Sequence, residues 1–124
     1  MKSPGGKIKA LLVDDERLNL VLVEQILQKL GLETVTAEDG FSGLEKVISE
    51  SPDIVFTDLI MPRMSGIEFS RRIKSLAPRL PVILMSAFDG AEVESTTNGL
   101  LQKPVSEAAF RKTLISIFPE WEES

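Results

Sequence analysis

The chain has 124 residues, which corresponds to one domain with room for a buried core. Its hydrophobic content of 43% and charged content of 27% are typical of a folded globular protein. The net charge of −5 argues against nucleic-acid binding by this domain, because such binding needs a basic surface. Cysteine and histidine are absent, which excludes disulfides, thiolate metal sites and imidazole catalysis. No apolar stretch is long enough for a signal peptide or a membrane span, so we expect no membrane insertion and a cytoplasmic location.

Short apolar runs alternate with longer amphipathic segments along the chain. Strands are predicted at 8–13, 33–37, 53–57, 82–85 and 100–101. Helices are predicted at 16–30, around 41–48, from 66 to about 76, and from beyond Pro104 to just before Pro119. This alternation favours an α/β fold with a parallel sheet and helices on both faces. We expect a single domain over residues 1–124, with an ordered core at about 7–118, a flexible start and a short acidic tail.

The first predicted helix has apolar residues at helical spacing. The residues at this spacing are Leu18, Val21, Leu22, Ile26, Leu27 and Leu30. We expect them to be core residues rather than a cofactor-binding surface, because apolar stripes of this kind usually face the core.

Polar side chains stand where the predicted strands end. Asp14 and Asp15 follow the first strand, Asp58 the third, Ser86 the fourth and Lys103 the fifth. Ligands of open parallel sheets bind outside the carboxyl ends of the strands, so we expect these side chains to converge. Close carboxylates repel one another, and a hard cation such as Mg²⁺ relieves that repulsion.

This set of residues is suited to phosphoryl transfer. A carboxylate such as Asp58 is able to act as the nucleophile and form an acyl phosphate. Lys103 would neutralise phosphoryl charge, and the Ser86 hydroxyl would donate to a phosphoryl oxygen. Taken singly, each residue has an ordinary explanation: Asp14 and Asp15 as helix caps, and the others as turn or solvated residues. Their joint occurrence at strand ends favours a site.

The sequence resembles the receiver domains of bacterial two-component response regulators. The matching segments are LLVDDE at 11–16, DIVFTDLIMPRMSG at 53–66, PVILMSA at 81–87 and LQKPV at 101–105. The resemblance implies a doubly wound, flavodoxin-like fold with a five-stranded parallel sheet of order 2-1-3-4-5. The segments DDERLN and KPV are similar to those of receivers attached to hybrid histidine kinases.

The same resemblance implies a role for each site residue. Asp58 would accept a phosphoryl group from the phosphohistidine of a histidine kinase or of a histidine phosphotransfer domain. Lys103, before a cis bond to Pro104, would pair with the phosphate, and Ser86 would be the switch hydroxyl. The implied ligands of Mg²⁺, or of Mn²⁺ in its place, are Asp15, Asp58, the backbone carbonyl of Ile60 and, through water, Asp14.

The chain departs from the family between its last two predicted strands. The segment from Ser86 to Lys103 is shorter than in most receivers, and its sequence is polar. We therefore expect a short or irregular fourth helix in residues 86–99. Leu100 stands where the family usually has a switch aromatic. Both departures fall on the usual output surface, so we expect an output partner, as yet unknown, to contact a different face.

Two apolar residues flank the predicted phosphorylation site. Ile60 and Phe88 lie two positions after Asp58 and Ser86. In the family resembled, side chains at these positions control the access of water to the phosphoryl group. Apolar residues there predict slow self-dephosphorylation.

Two other functions compete with that of a phosphoacceptor switch. A magnesium-dependent phosphatase with an aspartyl nucleophile would need a second carboxylate two residues after Asp58, where the chain has Ile60. A receiver-like interaction module that no longer accepts phosphate would not need the acidic, hydroxyl and lysine residues retained here. We therefore expect a signalling switch that catalyses at most its own phosphorylation and dephosphorylation, not a turnover enzyme.

Overall fold

The computed structural model of the protein describes residues 6–88 and 96–123. Strands and helices alternate as predicted up to the fourth strand, and the fourth and fifth strands follow one another with no helix among the described residues between them. The elements are β1 (Lys9–Val13), α1 (Arg17–Lys29), β2 (Glu33–Ala37), α2 (Gly40–Glu50), β3 (Ile54–Asp58), α3 (Gly66–Leu76), β4 (Val82–Ser86), β5 (Gly99–Gln102) and α4 (Glu107–Ile117). Most of the predicted flexible start lies outside the described residues.

The five strands form one parallel sheet with the order β2-β1-β3-β4-β5. This confirms the predicted fold class and strand order. The register pairs Val13 with Thr57 and Asp58 with Met85, so the carboxyl ends of the central strands lie side by side. Asp58 and Ser86 are the last residues of β3 and β4, and the predicted strand-end residues therefore share one edge of the sheet.

The sheet is buried on both faces, which explains the continuous apolar runs of β3 and β4. One core cluster lies between the sheet and helices α1 and α4, where Phe56 and Phe110 meet edge to face at 5.2 Å. The second lies beneath α2 and α3 and is centred on Phe69, which is fully buried. Helices on both faces make this a three-layer α/β domain.

Three of the four described helices begin at a polar cap. The side chains of Asp39, Ser65 and Ser106 each accept a hydrogen bond from the backbone N–H three residues further on. These caps start α2, α3 and α4. Among residues 6–88 and 96–123, no helix has the length and apolar character that crossing a membrane requires.

The prediction that Leu18, Val21 and Leu22 belong to the core is wrong. Their exposed fractions are 69%, 41% and 50%. For Leu27 and Leu30 the same prediction is confirmed, since both are buried, and Leu20 is the other buried leucine of this segment. The helix has two apolar stripes, and only contact with the sheet determines which of them faces inward.

The described residues between β4 and β5, at 87–88 and 96–98, are not helical. The remainder of the predicted short fourth helix lies outside the described part of the chain. Asn98 connects the entry of β5 to β4: its N–H donates to the Val82 carbonyl at 2.7 Å, and its side-chain oxygen accepts from the Val82 N–H at 2.9 Å. These two bonds align β5 with β4 one residue before the pairing of the two strands begins, at Gly99.

Candidate functional site

Three carboxylates meet at the carboxyl edge of the sheet. Asp14 is buried and Asp58 is 9% exposed, whereas Asp15 faces solvent. One oxygen from each lies within 4.8 Å of the others. An oxygen-only, partly open cluster of this kind suits a hard divalent cation that keeps some of its water.

Asp14 is held in place by the backbone at the start of α1. Its side chain accepts the Glu16 N–H at 2.9 Å, and its own N–H donates to the Ala37 carbonyl at 3.2 Å. The cap residue of α1 is Glu16, which makes no capping hydrogen bond through its side chain. Helix capping therefore does not account for Asp14 and Asp15.

Lys103 joins two of the carboxylates. Its ammonium group lies 3.0 Å from Asp14 and 3.2 Å from Asp58. Burial raises the pKa of Asp58, and the Asp14 charge raises it further, while Lys103 opposes both effects. Burial acts to lower the pKa of Lys103, but contacts with Asp14 and then Asp58 outweigh it, and the pKa of Lys103 is raised. The lysine thus stays charged and compensates the acidic cluster.

Ser86 ends β4 beside this cluster and is 1% exposed. Its hydroxyl accepts the Phe88 N–H at 3.0 Å. Its carbonyl accepts the Lys103 N–H at 2.7 Å, which fixes the backbone of β5 next to that of β4. The Lys103-Pro104 bond is cis, as the resemblance implied.

The loop after Asp58 carries Ile60, whose side chain is 57% exposed. Its base is closed by a hydrogen bond of 2.7 Å from the Gly66 N–H to the Leu59 carbonyl. A Cβ atom on Gly66 would collide with the carbonyl oxygen of Asp58. Sequence reasoning missed this function of Gly66, and the only available signal was its place at the end of the MPRMSG segment. Metal binding by the Ile60 carbonyl stays a prediction.

A second feature that the sequence did not reveal is a groove of about 660 Å³ between α1 and the start of α4. Apolar residues from both sides line it, among them Leu22, Ile26, Pro104 and Val105. Lys103 also contributes to the lining, so the groove adjoins the acidic cluster. Of the exposed apolar residues of α1, Leu22 is thus accounted for by a surface groove rather than by the core.

Comparison with protein families gives the class of this fold and site. Residues 10–115 match the family described as the response regulator receiver domain. The chain therefore belongs to that family. Receiver domains are the phosphoacceptor switches of two-component signalling rather than turnover enzymes.

Curated relatives include both sensor kinases and shorter proteins. The chain is 32% identical to the autoinducer 1 sensor kinase/phosphatase LuxN of Vibrio campbellii, over 84% of this chain and 13% of that protein. It is 37% identical to the sensor histidine kinase RcsC of Salmonella typhi, over 84% of this chain and 12% of that protein. It is 35% identical to the protein PilG of Pseudomonas aeruginosa, over 73% of this chain and 68% of that protein. The chain thus spans about an eighth of the two sensor kinases.

Solved structures agree with the family. A response regulator receiver domain from Clostridium thermocellum superposes with a TM-score of 0.83 at 28% identity, covering 90% of this chain and 94% of that one. A chemotaxis response regulator of Vibrio cholerae superposes with a TM-score of 0.82 at 28% identity, covering 91% of this chain and 100% of that one.

Proposed function

We propose that Asp58 accepts a phosphoryl group from a phosphohistidine carried by a histidine kinase or a histidine phosphotransfer domain. A carboxylate oxygen of Asp58 attacks phosphorus, a P–O bond forms, and the P–N bond to the histidine breaks. The electron pair of that bond returns to the imidazole of the donor, which takes a proton from solvent. The observation that carries this proposal is the Lys103 ammonium group, which lies within 3.2 Å of both Asp14 and Asp58.

The acidic cluster fits a divalent cation in chemistry as well as in position. Asp15 and Asp58 would hold Mg²⁺, or Mn²⁺ in its place, together with the Ile60 carbonyl and, through water, Asp14. The ion would supply positive charge beside the phosphoryl oxygens. Lys103 and the Ser86 hydroxyl then donate to the remaining oxygens, since both lie at the same edge of the sheet.

The groove beside Lys103 fits the proposed donor. Leu22 and Ile26 of α1 form one wall and Pro104 and Val105 form the other, so an apolar helix face would be desolvated there. A protein seated in this groove would carry its phosphohistidine next to Asp58. The exposure of Leu22, at 50%, is then explained by a partner that covers it in the complex.

Other parts of the proposal concern the setting of this domain. We propose that residues 1–124 act as one receiver domain in the cytoplasm, where the absence of cysteine suits a reducing environment. Its output partner would contact a face other than that formed by β5 and α4. Phosphatase turnover is disfavoured because Ile60 stands where a second acid/base carboxylate would be needed.

Mass spectrometry of the intact chain tests the proposal. Incubation with acetyl phosphate and Mg²⁺ should add one phosphoryl group to the native chain and none to Asp58→Asn. Omission of Mg²⁺ should greatly reduce the adduct. Absence of any adduct on a folded native chain would instead favour an interaction module without phosphorylation.

A further inference from the structure

The loop that follows Asp58 is fixed at its base by backbone hydrogen bonds, and its Met61 and Met64 side chains are buried in the core. The Leu59 N–H donates to the Met85 carbonyl at 2.9 Å, and the Gly66 N–H donates to the Leu59 carbonyl at 2.7 Å. Between these points, the Met64 N–H donates to the Pro62 carbonyl at 2.8 Å, which makes a compact turn around Arg63. These backbone bonds shape the loop but do not tie its outer end to the rest of the domain.

Arg63 supplies a tie from that outer end to helix α2. Its guanidinium donates to Asp39 at 2.9 Å and lies 5.9 Å from the centre of the Phe41 ring. The other oxygen of Asp39 caps α2 by accepting the Ser42 N–H at 2.7 Å. Arg63 has a φ of 68°, in the left-handed region that is unfavourable for residues other than glycine. The side-chain contacts compensate for that backbone conformation.

The surface that receives Arg63 is itself connected to the acidic cluster. Asp39 lies two residues after Ala37, whose carbonyl accepts the Asp14 N–H at 3.2 Å. Met64, which is 2% exposed, packs against Gly40 at the start of α2. The loop after Asp58 and the loop before α2 are therefore in direct contact, and each adjoins a carboxylate of the cluster.

From this geometry we infer that Arg63 is a positioning residue for the proposed metal site. By holding the loop against Asp39, it limits the positions of the Ile60 carbonyl relative to Asp14 and Asp58. The inference rests on the proposed magnesium site. The pair is partly exposed, with side-chain exposures of 68% for Arg63 and 25% for Asp39, so its effect should be modest and salt-dependent.

The test is Mg²⁺ affinity, measured by calorimetric titration of the full chain rather than by phosphorylation. Arg63→Gly removes the tie while easing the left-handed backbone, and should raise the Mg²⁺ dissociation constant about two- to fivefold. Asp39→Asn keeps the cap oxygen but removes the charge, and should give a similar rise. The double variant should add little to either single change. Arg63→Lys keeps the charge and should restore part of the affinity.

Arg72→Ala is the matched control. Arg72 lies 5.7 Å from the same Phe41 ring, but it pairs with Glu68 of its own helix and makes no tie to the loop. The Mg²⁺ affinity of the Arg72→Ala variant should equal that of the native chain. Equal affinity in native and Arg63→Gly chains, or an equal loss in Arg72→Ala, would overturn the inference alone. Absence of Mg²⁺ binding by the native chain would overturn the proposed metal site and the inference together.

Amide hydrogen exchange without metal gives a second readout. Arg63→Gly should speed exchange of the Gly66 N–H, which closes the loop. The thermal midpoint of unfolding should change little, because the effect is local. Unchanged exchange of that amide would also count against the inference.

Discussion

Burial of Asp58 raises its pKa, and the neighbouring Asp14 charge acts in the same direction, while Lys103 acts against them. The native state therefore binds the Asp58 proton more tightly than the unfolded chain does. Stability falls as pH rises from the ordinary aspartate pKa of 3.8 through the higher native pKa, and the full cost of the ionised group is present above it. Ionisation of the buried Asp58 carboxyl group thus comes at the expense of stability.

Asp58→Asn should accordingly raise the thermal midpoint of the metal-free chain at pH 7. Lys103 keeps Asp14 as a partner at 3.0 Å, so the substitution leaves no buried charge unpaired. The gain should shrink as pH falls through the native pKa toward 3.8, because native Asp58 then becomes protonated. Thermal unfolding, followed by circular dichroism from pH 7 down toward pH 3.8, measures this difference in midpoint. A lower midpoint for Asp58→Asn than for the native chain at pH 7 would refute the prediction.

Gly66→Ala should destabilise the domain although alanine favours helices. The added Cβ would meet the backbone carbonyl of Asp58, which cannot move without disturbing β3. Overpacking of this kind costs about 1–3 kcal/mol in the free energy of unfolding, measured with urea. Gly99→Ala is the control, since its Cβ would meet only the flexible end of Ile83 at 3.3 Å. Equal effects of the two substitutions would contradict this account.

Ile60 and Phe88 should slow hydrolysis of the acyl phosphate at Asp58. Both residues are largely exposed, at 57% and 60%; Ile60 lies in the loop after Asp58, and the Phe88 N–H donates to the Ser86 hydroxyl. Ile60→Ala and Phe88→Ala should each accelerate phosphate loss after acetyl phosphate is removed, because smaller side chains admit water. Leu76→Ala, which is similarly exposed but lies at the end of α3, should leave the rate unchanged. Rapid loss from the native chain, unaffected by Ile60→Ala, would count against this prediction.

At the scale of elements, the buried strands were the most predictable features, because parallel strands covered on both faces give uninterrupted apolar runs. The residues at which the strands end were less predictable. The runs stop before Asp58 and Ser86, yet backbone pairing continues through both residues. The Leu59 N–H still donates to the Met85 carbonyl, and the Lys103 N–H to that of Ser86. A polar side chain ends the apolar run without ending the ladder.

The orientation of α1 was not predictable, because two apolar stripes compete for the sheet. The buried stripe should control stability and the outer one should not. Leu27→Ala should cost about 2–5 kcal/mol in the free energy of unfolding. Leu18, which is 69% exposed, should tolerate alanine within about 0.5 kcal/mol. Urea titrations of the two variants measure this, and a comparable loss for Leu18→Ala would mean that the outer stripe does belong to the core.

At the scale of the whole molecule, the convergence of the site was predictable because it depends on topology alone. Asp14, Asp58, Ser86 and Lys103 each end or follow a parallel strand, and such strands end at one edge. The pairing of Arg63 with Asp39 was not predictable, since the two residues are 24 positions apart and follow no periodic pattern. Loop contacts of this kind depend on the turn geometry that only the folded chain provides.

The central claim is that phosphate arrives at the Asp58 carboxylate, and reductive trapping tests it most directly. After incubation with acetyl phosphate and Mg²⁺, borohydride reduces an aspartyl phosphate to homoserine, which peptide mass spectrometry locates in the sequence. We predict homoserine at position 58 alone, and its loss when Mg²⁺ is withheld. Homoserine at Asp14 or Asp15, or an unmodified peptide containing Asp58 from a folded, magnesium-loaded chain, would contradict the account.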